Sequence, residues 1–345
     1  MEELSYKNAG VDIDAANEAK KAIAKSLTTD NKRVLNRIGA FASIYNIKYP
    51  EIIDPVLVLK TEEPGSKQLL AFKYGKIESI CYDMINHLIN DCIVMGAKPL
   101  SVQDAIICGK LDKPMISKLV ESISKACVEQ DCILTGGETS EQPGVLREGQ
   151  YILTSSIVGI ADKKNIIDGS KINEGDVVIA IESSGLHTNG YTLIRKMIDI
   201  MPNIIKNEIN SRSFLDHIME PHRCYYKTIR DLFPKQMITG MAHITGGGIQ
   251  ENLNRILPTH LNAEIDLKKY QISPVFKFIK KKGNISDRDM LRTFNLGVGF
   301  ILVVSKNSVL EVLEHINSKK VNCYEIGKIT PGNQKVCLIN KLAWL

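Results

Sequence analysis

An α/β chain of two domains is what the sequence predicts. Apolar strand-like runs alternate with helix-length segments along most of its 345 residues, a length that suits two cores better than one. A stretch dense in charge and turn formers, Asp162–Asp176, breaks the alternation near the middle. We therefore divide the chain into residues 1–168 and 169–345.

From the N-terminus, Asp12 or Asp14 can cap a helix reaching Leu27, because Ala16, Ala19, Ile23 and Leu27 recur every three or four residues. Pro55–Leu59 reads as a strand running into a polar turn, Thr61–Lys67. A helix fits Asp83–Met95, closed by Gly96 with Pro99 beyond. Strand Ser101–Cys108, helix Pro114–Glu129, and strands Cys132–Thr135 and Tyr151–Ile160 complete the first half. The second opens on strand Val177–Ile181, Ser183-Ser184-Gly185 and a helix from His187 to Ile198. A helix over His222–Leu232, a strand over Met237–His243, the turn Thr245–Gly248 and a helix to Ile256 come next. Strand Val298–Val304, helix Ser308–Ile316 and strands Cys323–Ile329 and Lys335–Ile339 finish the chain.

Composition narrows the function classes. The 44 Lys+Arg against 39 Asp+Glu leave a net charge of +5, and the lysine pairs are scattered among apolar residues, so they read as solvated faces and not as a nucleic-acid stripe. No apolar run approaches the roughly 18–20 residues of a membrane-spanning helix, and the opening MEELSYKNAG lacks a basic and apolar leader, so a cytoplasmic protein without a membrane partner is expected. The eight cysteines form no CxxC pair and mostly sit in apolar runs, as reduced buried thiols do. GxSxG, HExxH and GxxxxGK[ST] patterns are absent, which disfavours serine hydrolases, zincins and P-loop enzymes.

Three glycine- and hydroxyl-rich segments each read as standing between a strand and a helix: Thr135-Gly136-Gly137-Glu138-Thr139, Ser183 to Gly190, and Thr245-Gly246-Gly247-Gly248. Glycines let the backbone approach an anion closely, so these segments suit a phosphorylated ligand. His187 and His243 each lie where a strand hands over to such a turn, where ligand-facing groups of α/β sheets are found. On the expected helix Asp83–Met95, Asp83, His87 and Asp91 fall four apart on one face beside Asn90. That face could hold Mg²⁺, which favours carboxylate oxygens and phosphate, although Asp83 equally reads as the helix cap. His87, His217, His222, His260 and His315 have no turn setting and read as structural or solvated.

Taken in order, Ser5-Tyr-Lys-Asn-Ala-Gly-Val-Asp-Ile-Asp14, Asn90-Asp91 with Met95–Pro99, Gly136–Gly144, Ser183–Tyr191, Ala242–Gly248 with Glu251-Asn252, and Arg292–Gly299 resemble the phosphoribosylformylglycinamidine cyclo-ligase family. The resemblance implies an N-terminal α/β domain whose sheet joins that of a second copy in a barrel-like homodimer, and a C-terminal α/β domain with a sheet flanked by helices. It implies ATP-dependent ring closure of a phosphorylated small-molecule substrate, with Mg²⁺ and also K⁺ as cations. Carried onto this chain, the nucleotide side comprises Lys67, Gly65, Asn90, Gly136, Gly137 and Glu138, with Asp91 and Glu62 on the metal. Ser184, Gly185, Thr245 and Gly246 to Gly248 belong to the substrate, and His187, Asn189 and His243 to the chemistry. Thr61-Glu-Glu-Pro-Gly-Ser-Lys67 departs from the family's Thr-Asp-Gly-Val-Gly-Thr-Lys loop, and His87 replaces an apolar residue. That departure leaves two outcomes: a working cyclo-ligase, or a homologue that keeps the fold and substrate side as a binding or regulatory subunit.

Overall fold

The computed structural model describes residues 31–36 and 40–344. The expected first helix, the Ser5–Asp14 segment and residue 345 lie outside them. The first half runs β1 (Pro55–Glu62), α1 (Lys67–Lys73), α2 (Ile77–Ile93), β2 (Lys98–Cys108), α3 (Lys113–Glu129), β3 (Ile133–Glu141) and β4 (Tyr151–Asp162). Its sheet has the order β1-β4-β2-β3, antiparallel except for β2 and β3, which α3 connects as a parallel crossover. Asp112 starts α3 by accepting the Met115 N–H at 3.1 Å. Inward-facing Val102 and Ile106 of β2 are buried with the apolar stripes of α2 and α3. On β1, by contrast, Leu57 and Leu59 are 52% and 69% exposed.

Helix α2 begins six residues before Asp83, because Ile77, Ile80, Cys81 and Met84 already continue its buried stripe. Asp83 is thus an interior, fully buried position and not the cap. Strand β3 likewise outruns its expected end at Thr135. Gly136, Gly137 and Glu138 pair in parallel with Gln103, Asp104 and Ala105, so they form strand where a strand-to-turn junction was expected. The glycine is required there: a Cβ at residue 137 would lie 1.7 Å from Asp104 Oδ1 and 2.5 Å from the Asp104 carbonyl oxygen.

The second half contains β5 (Val177–Glu182), α4 (Tyr191–Ile200), a small hairpin of β6 (Glu208–Ile209) and β7 (Arg212–Ser213), α5 (Phe214–Ile218), α6 (Tyr226–Ile229), β8 (Ile238–His243) and α7 (Gly248–Asn254). It continues through β9 (Leu261–Asp266), α8 (Pro274–Gly283), α9 (Asp287–Thr293), β10 (Val298–Val304), α10 (Val309–Ser318), β11 (Cys323–Pro331) and β12 (Val336–Ile339). Six strands form a sheet in the order β12-β9-β11-β5-β10-β8, parallel only between β12 and β9. Every residue of β10 is buried, so both faces of this sheet are covered. Helix α4 starts at Tyr191, later than expected, because His187 and Gly190 take positive φ angles of 60° and 80° and close a turn first. The α/β class holds; within one chain the first sheet is open, and no closed barrel is formed by the described residues. No helix among them is long and apolar enough to cross a membrane.

Gly137→Ala should destabilise the fold by about 1–3 kcal/mol, the usual penalty of overpacking. Urea denaturation checks this, and an unchanged midpoint would contradict the strand assignment.

Candidate active site

One stripe of α2 does most of the positioning. Asp83, Asn86, His87, Asn90 and Asp91 recur at helical spacing, and each reaches a segment of the second half. Asp83 Oδ1 accepts the His222 N–H at 2.8 Å, and the Asn86 amide donates to the His222 carbonyl at 2.6 Å. His87 Nδ1 meets Thr188 Oγ1 at 3.0 Å. The Asn90 amide donates to the Arg223 carbonyl at 2.8 Å and accepts the Tyr225 N–H at 2.9 Å. At the end of the row Asp91 Oδ1 lies 2.7 Å from His243 Nδ1.

Beside this stripe sits a wholly buried ion pair. Lys67 Nζ is 2.7 and 2.9 Å from the two oxygens of Asp83 and donates further to the carbonyls of His187 (3.2 Å) and Glu220 (2.8 Å). Burial pushes the Asp83 carboxyl up to about 6, against the lowering effect of Lys67, and the same burial pulls the Lys67 ammonium down. With all these bonds made, Lys67 fixes the backbone that carries His187 and His222.

Four imidazoles gather there. His243 Nε2 lies 2.9 Å from His222 Nε2, and His222 stacks on His187 with ring centroids 3.8 Å apart and planes at 19°. Because the Asp91 carboxylate accepts at Nδ1, a neutral His243 offers a lone pair at Nε2 and His222 donates its Nε2–H to it. His222 Nδ1 is then a buried lone pair with no protein partner among the described residues. His187 Nε2 accepts the Ser184 N–H at 3.3 Å, which leaves its Nδ1–H buried and unpaired as well. Burial, reinforced by the neighbouring imidazoles, lowers His187 and His222 far below the usual histidine value and His87 to about 4. Burial by itself would raise Asp91, but the hydrogen bond and charge of His243, with His87 and Lys60, hold it below the usual carboxylate range.

Facing the same end of α2, Lys60 Nζ sits 2.7 Å from Glu62 Oε1 and 3.0 Å from Asp91 Oδ2. Two carboxylates from different elements therefore converge on a single cationic atom, and the donor set fits a cation such as Mg²⁺ at that point. The altered loop packs against the substrate-side turn: a Cβ on Gly65 would meet the Thr188 carbonyl at 3.6 Å. Ser66 shares with Thr188, Asn189, Thr192, Lys196 and Thr293 the lining of an open cleft of about 650 Å³. Gly190, Tyr191 and Leu193 complete the lining, so the hydroxyls, the amide and the lysine stand on a largely apolar wall. The second glycine turn is braced from within, since the Asn252 amide donates to the carbonyls of Gly246 (3.1 Å) and Gly248 (2.8 Å), and Thr245 Oγ1 donates to Asn252. Gly247, at φ +88°, needs to be glycine. Ser184 Oγ donates to the Pro221 carbonyl at 2.6 Å, and the Gly185 carbonyl accepts from Asn295 at 2.9 Å.

Of the residues singled out in the sequence, Glu62, Asp91, His187 and His243 come together at one centre, and Gly65 meets the turn that carries Asn189. Asn90 is close by, but its amide is consumed in bracing the second half. Gly136, Gly137 and Glu138 lie on edge strand β3, and no hydrogen bond among the described residues joins Glu138 to the histidines. Lys60 and His222 belong to the centre although the sequence assigned them no role there, and so does His87, which shared the expected metal face but otherwise read as structural or solvated. The spacing of four from Asp83 through His87 to Asp91 was the available signal for His87; His222 stands in irregular chain and offers none.

Two family profiles match the chain: AIR synthase related protein, N-terminal domain, over residues 52–161, and AIR synthase related protein, C-terminal domain, over residues 173–339. The chain is 40% identical over 342 residues to the phosphoribosylformylglycinamidine cyclo-ligase of Carboxydothermus hydrogenoformans, a match that spans 98% of this chain and 99% of that relative. To the enzyme of the same name from Methylobacillus flagellatus it is 41% identical, over 94% of each. The chain belongs to the phosphoribosylformylglycinamidine cyclo-ligase family. Among solved structures, the hydrogenase maturation protein HypE in complex with ATP aligns with a TM-score of 0.68 at 14% identity, covering 96% of this chain and 93% of that one. Thiamine-monophosphate kinase from Stenotrophomonas maltophilia aligns at 0.67 and 14%, covering 95% and 97%. These two likenesses are of fold, which the cyclo-ligase chain shares with them.

Lys67→Met leaves the Asp83 charge buried and unpaired, so it should lower stability by about 3–5 kcal/mol. Adding Asp83→Asn removes that charge while keeping an acceptor for the His222 N–H, and part of the loss should return in urea melts. The buried neutral histidines also set a pH dependence. Their folded values lie below the ordinary 6.5, so the unfolded chain takes up protons that the folded chain refuses. Stability should therefore fall as pH drops from about 6.5 towards about 4, by up to about 1.4 kcal/mol per pH unit for each such histidine. A flat profile over that range would contradict the burial of neutral imidazoles.

Proposed function

We propose that this cyclo-ligase closes the imidazole ring of formylglycinamidine ribonucleotide at the expense of ATP, releasing aminoimidazole ribonucleotide, ADP and phosphate in purine biosynthesis. The observation that carries the reading is the Asp91–His243 hydrogen bond of 2.7 Å, which joins the Asn90-Asp91 segment of the first half to the His-Ile-Thr-Gly-Gly-Gly turn of the second.

The formyl amide oxygen is a poor leaving group. Its attack on the γ-phosphorus, with loss of ADP, gives an iminophosphate; the amidine nitrogen then attacks that carbon, phosphate departs, and the nitrogen sheds a proton. Positioning and charge neutralisation supply most of the acceleration in such a sequence. His243 is the proton acceptor on this reading: Asp91 holds its Nδ1–H, and its Nε2 lone pair, which accepts from His222 in the free protein, takes the proton once His222 gives way. Thr188 and Asn189 line the cleft for the phosphorylated substrate, buried His187 holds the turn that carries them, and the Ser184-Gly185 and Thr245–Gly248 segments supply backbone groups to it. Asp91 and Glu62 would hold Mg²⁺, which neutralises phosphate charge when bound; K⁺ would serve as a further counter-cation. Lys67, bonded on all sides, acts by holding the turn. Gly136, Gly137 and Glu138 reach the nucleotide from the sheet edge.

The exposed Leu57 and Leu59 on β1 support a homodimer in which this sheet meets a second copy. The division near residue 168 separates the nucleotide-binding, dimerising half from the substrate half of a cytoplasmic enzyme.

Pure protein incubated with formylglycinamidine ribonucleotide, MgATP and K⁺ should yield aminoimidazole ribonucleotide. Absence of product while calorimetry still records substrate binding would overturn the assignment. His243→Ala should lower turnover by about 10²–10⁴-fold and leave ATP affinity nearly intact; a collapse of ATP binding would show that His243 serves the nucleotide.

A further inference from the structure

We propose that Glu62, His87 and Asp91 form a mixed nitrogen–oxygen site selective for a first-row transition-metal ion, with the Lys60 ammonium as its tethered occupant in the metal-free protein. The inference rests on the cation position assigned to Asp91 and Glu62 above and changes the kind of cation that suits it.

The donors converge. Glu62 Oε1 and Asp91 Oδ2 share Lys60 Nζ at 2.7 and 3.0 Å, and His87 Nε2 lies 3.9 Å from that Glu62 oxygen and 3.7 Å from that Asp91 oxygen. His243 Nδ1 is 2.7 Å from the other Asp91 oxygen and holds that carboxylate from behind. Ligands bonded at about 2.0–2.2 Å stand no more than about 4.4 Å apart across one metal ion. The separations of His87 Nε2 from the two carboxylate oxygens, 3.9 and 3.7 Å, fall inside that limit.

The surrounding bonds orient His87 as a ligand. With Nδ1–H given to Thr188 Oγ1, 3.0 Å away, His87 keeps its Nε2 lone pair on the side of Glu62 and Asp91. Histidine ligands are held by outer hydrogen bonds of this kind. Nitrogen donors favour cobalt, nickel or zinc over magnesium, whose preference is for oxygen and water.

Lys60 explains how two carboxylates stay together without a metal. Its side chain is 35% exposed and can swing into solvent, so a divalent ion can replace it. A bound ion would join α2, which supplies His87 and Asp91, to β1, which supplies Glu62.

The test is titration of the metal-free full chain with Co²⁺, without nucleotide or substrate, read by visible absorption and calorimetry. A site lacking nitrogen would give the weak spectrum of an oxygen-bound ion, so the identity of the ligands is read directly. An intensified d–d spectrum that weakens in His87→Gln, with Co²⁺ affinity reduced about 10-fold or more, is expected. Lys60→Met, at a partly exposed position, should bind Co²⁺ more tightly than the wild type. Equal Co²⁺ affinity in wild type and His87→Gln, or weaker binding in Lys60→Met, would overturn the proposal. Ring closure measured separately with Mg²⁺ decides the parent function, so failure of one leaves the other standing.

Discussion

The Lys67–Asp83 pair is the interaction on which the remaining geometry depends. An ammonium and a carboxylate at zero exposure are stable only when nearly every lone pair and proton is used. Here the unused capacity goes to the backbone: Lys67 to the carbonyls of His187 and Glu220, Asp83 to the N–H of His222. Two residues of the first half thereby determine where two imidazoles of the second half stand. A hydrophobic pair of similar volume would fill the same space, but it would leave those three backbone groups without partners.

From that anchor the α2 stripe works outward by helical turns. Asn86 and Asn90 brace the 222–225 segment, His87 meets Thr188, and Asp91 meets His243. The polar contacts thus run from fully buried at Asp83 to partly exposed at Asp91, where chemistry needs access. Strain accumulates at the same place. His187 holds a φ of 60°, an uncommon conformation for a residue with a Cβ, and the carbonyl it gives to Lys67 helps to keep it there.

The sequence made the architecture legible because its signals are local. Apolar periodicity located most strands and the helix around Pro114–Glu129, and the family motifs pointed to His187, His243 and Asp91. Contacts between distant segments account for the features it hid. Asp83 reads as a cap until Lys67 is seen beside it, sixteen residues away in sequence. Gly136-Gly137-Glu138 has the composition of a turn, yet the parallel register with β2 and the space taken by Asp104 make it strand. His222 reads as the start of a helix that in fact begins only at Tyr226, and Lys60 comes just after a run that reads as an apolar strand; neither announces a role until α2 and β8 are brought together. Strand β9 and helices α8 and α9 escaped although Ser273-Pro274 and Ser286 with Asp289 are cap signals, since Leu261–Thr293 mixes lysines with apolar residues and its helices are short.

The central claim is that Asp91 and His243 act as one unit across the junction of the two halves. A double-mutant cycle of Asp91→Asn and His243→Ala on the turnover of ring closure tests it most directly. Coupled residues should give a double variant hardly slower than the slower single one. Losses that simply multiply would mean that the two act independently, and the hydrogen bond between them would then be no part of the mechanism.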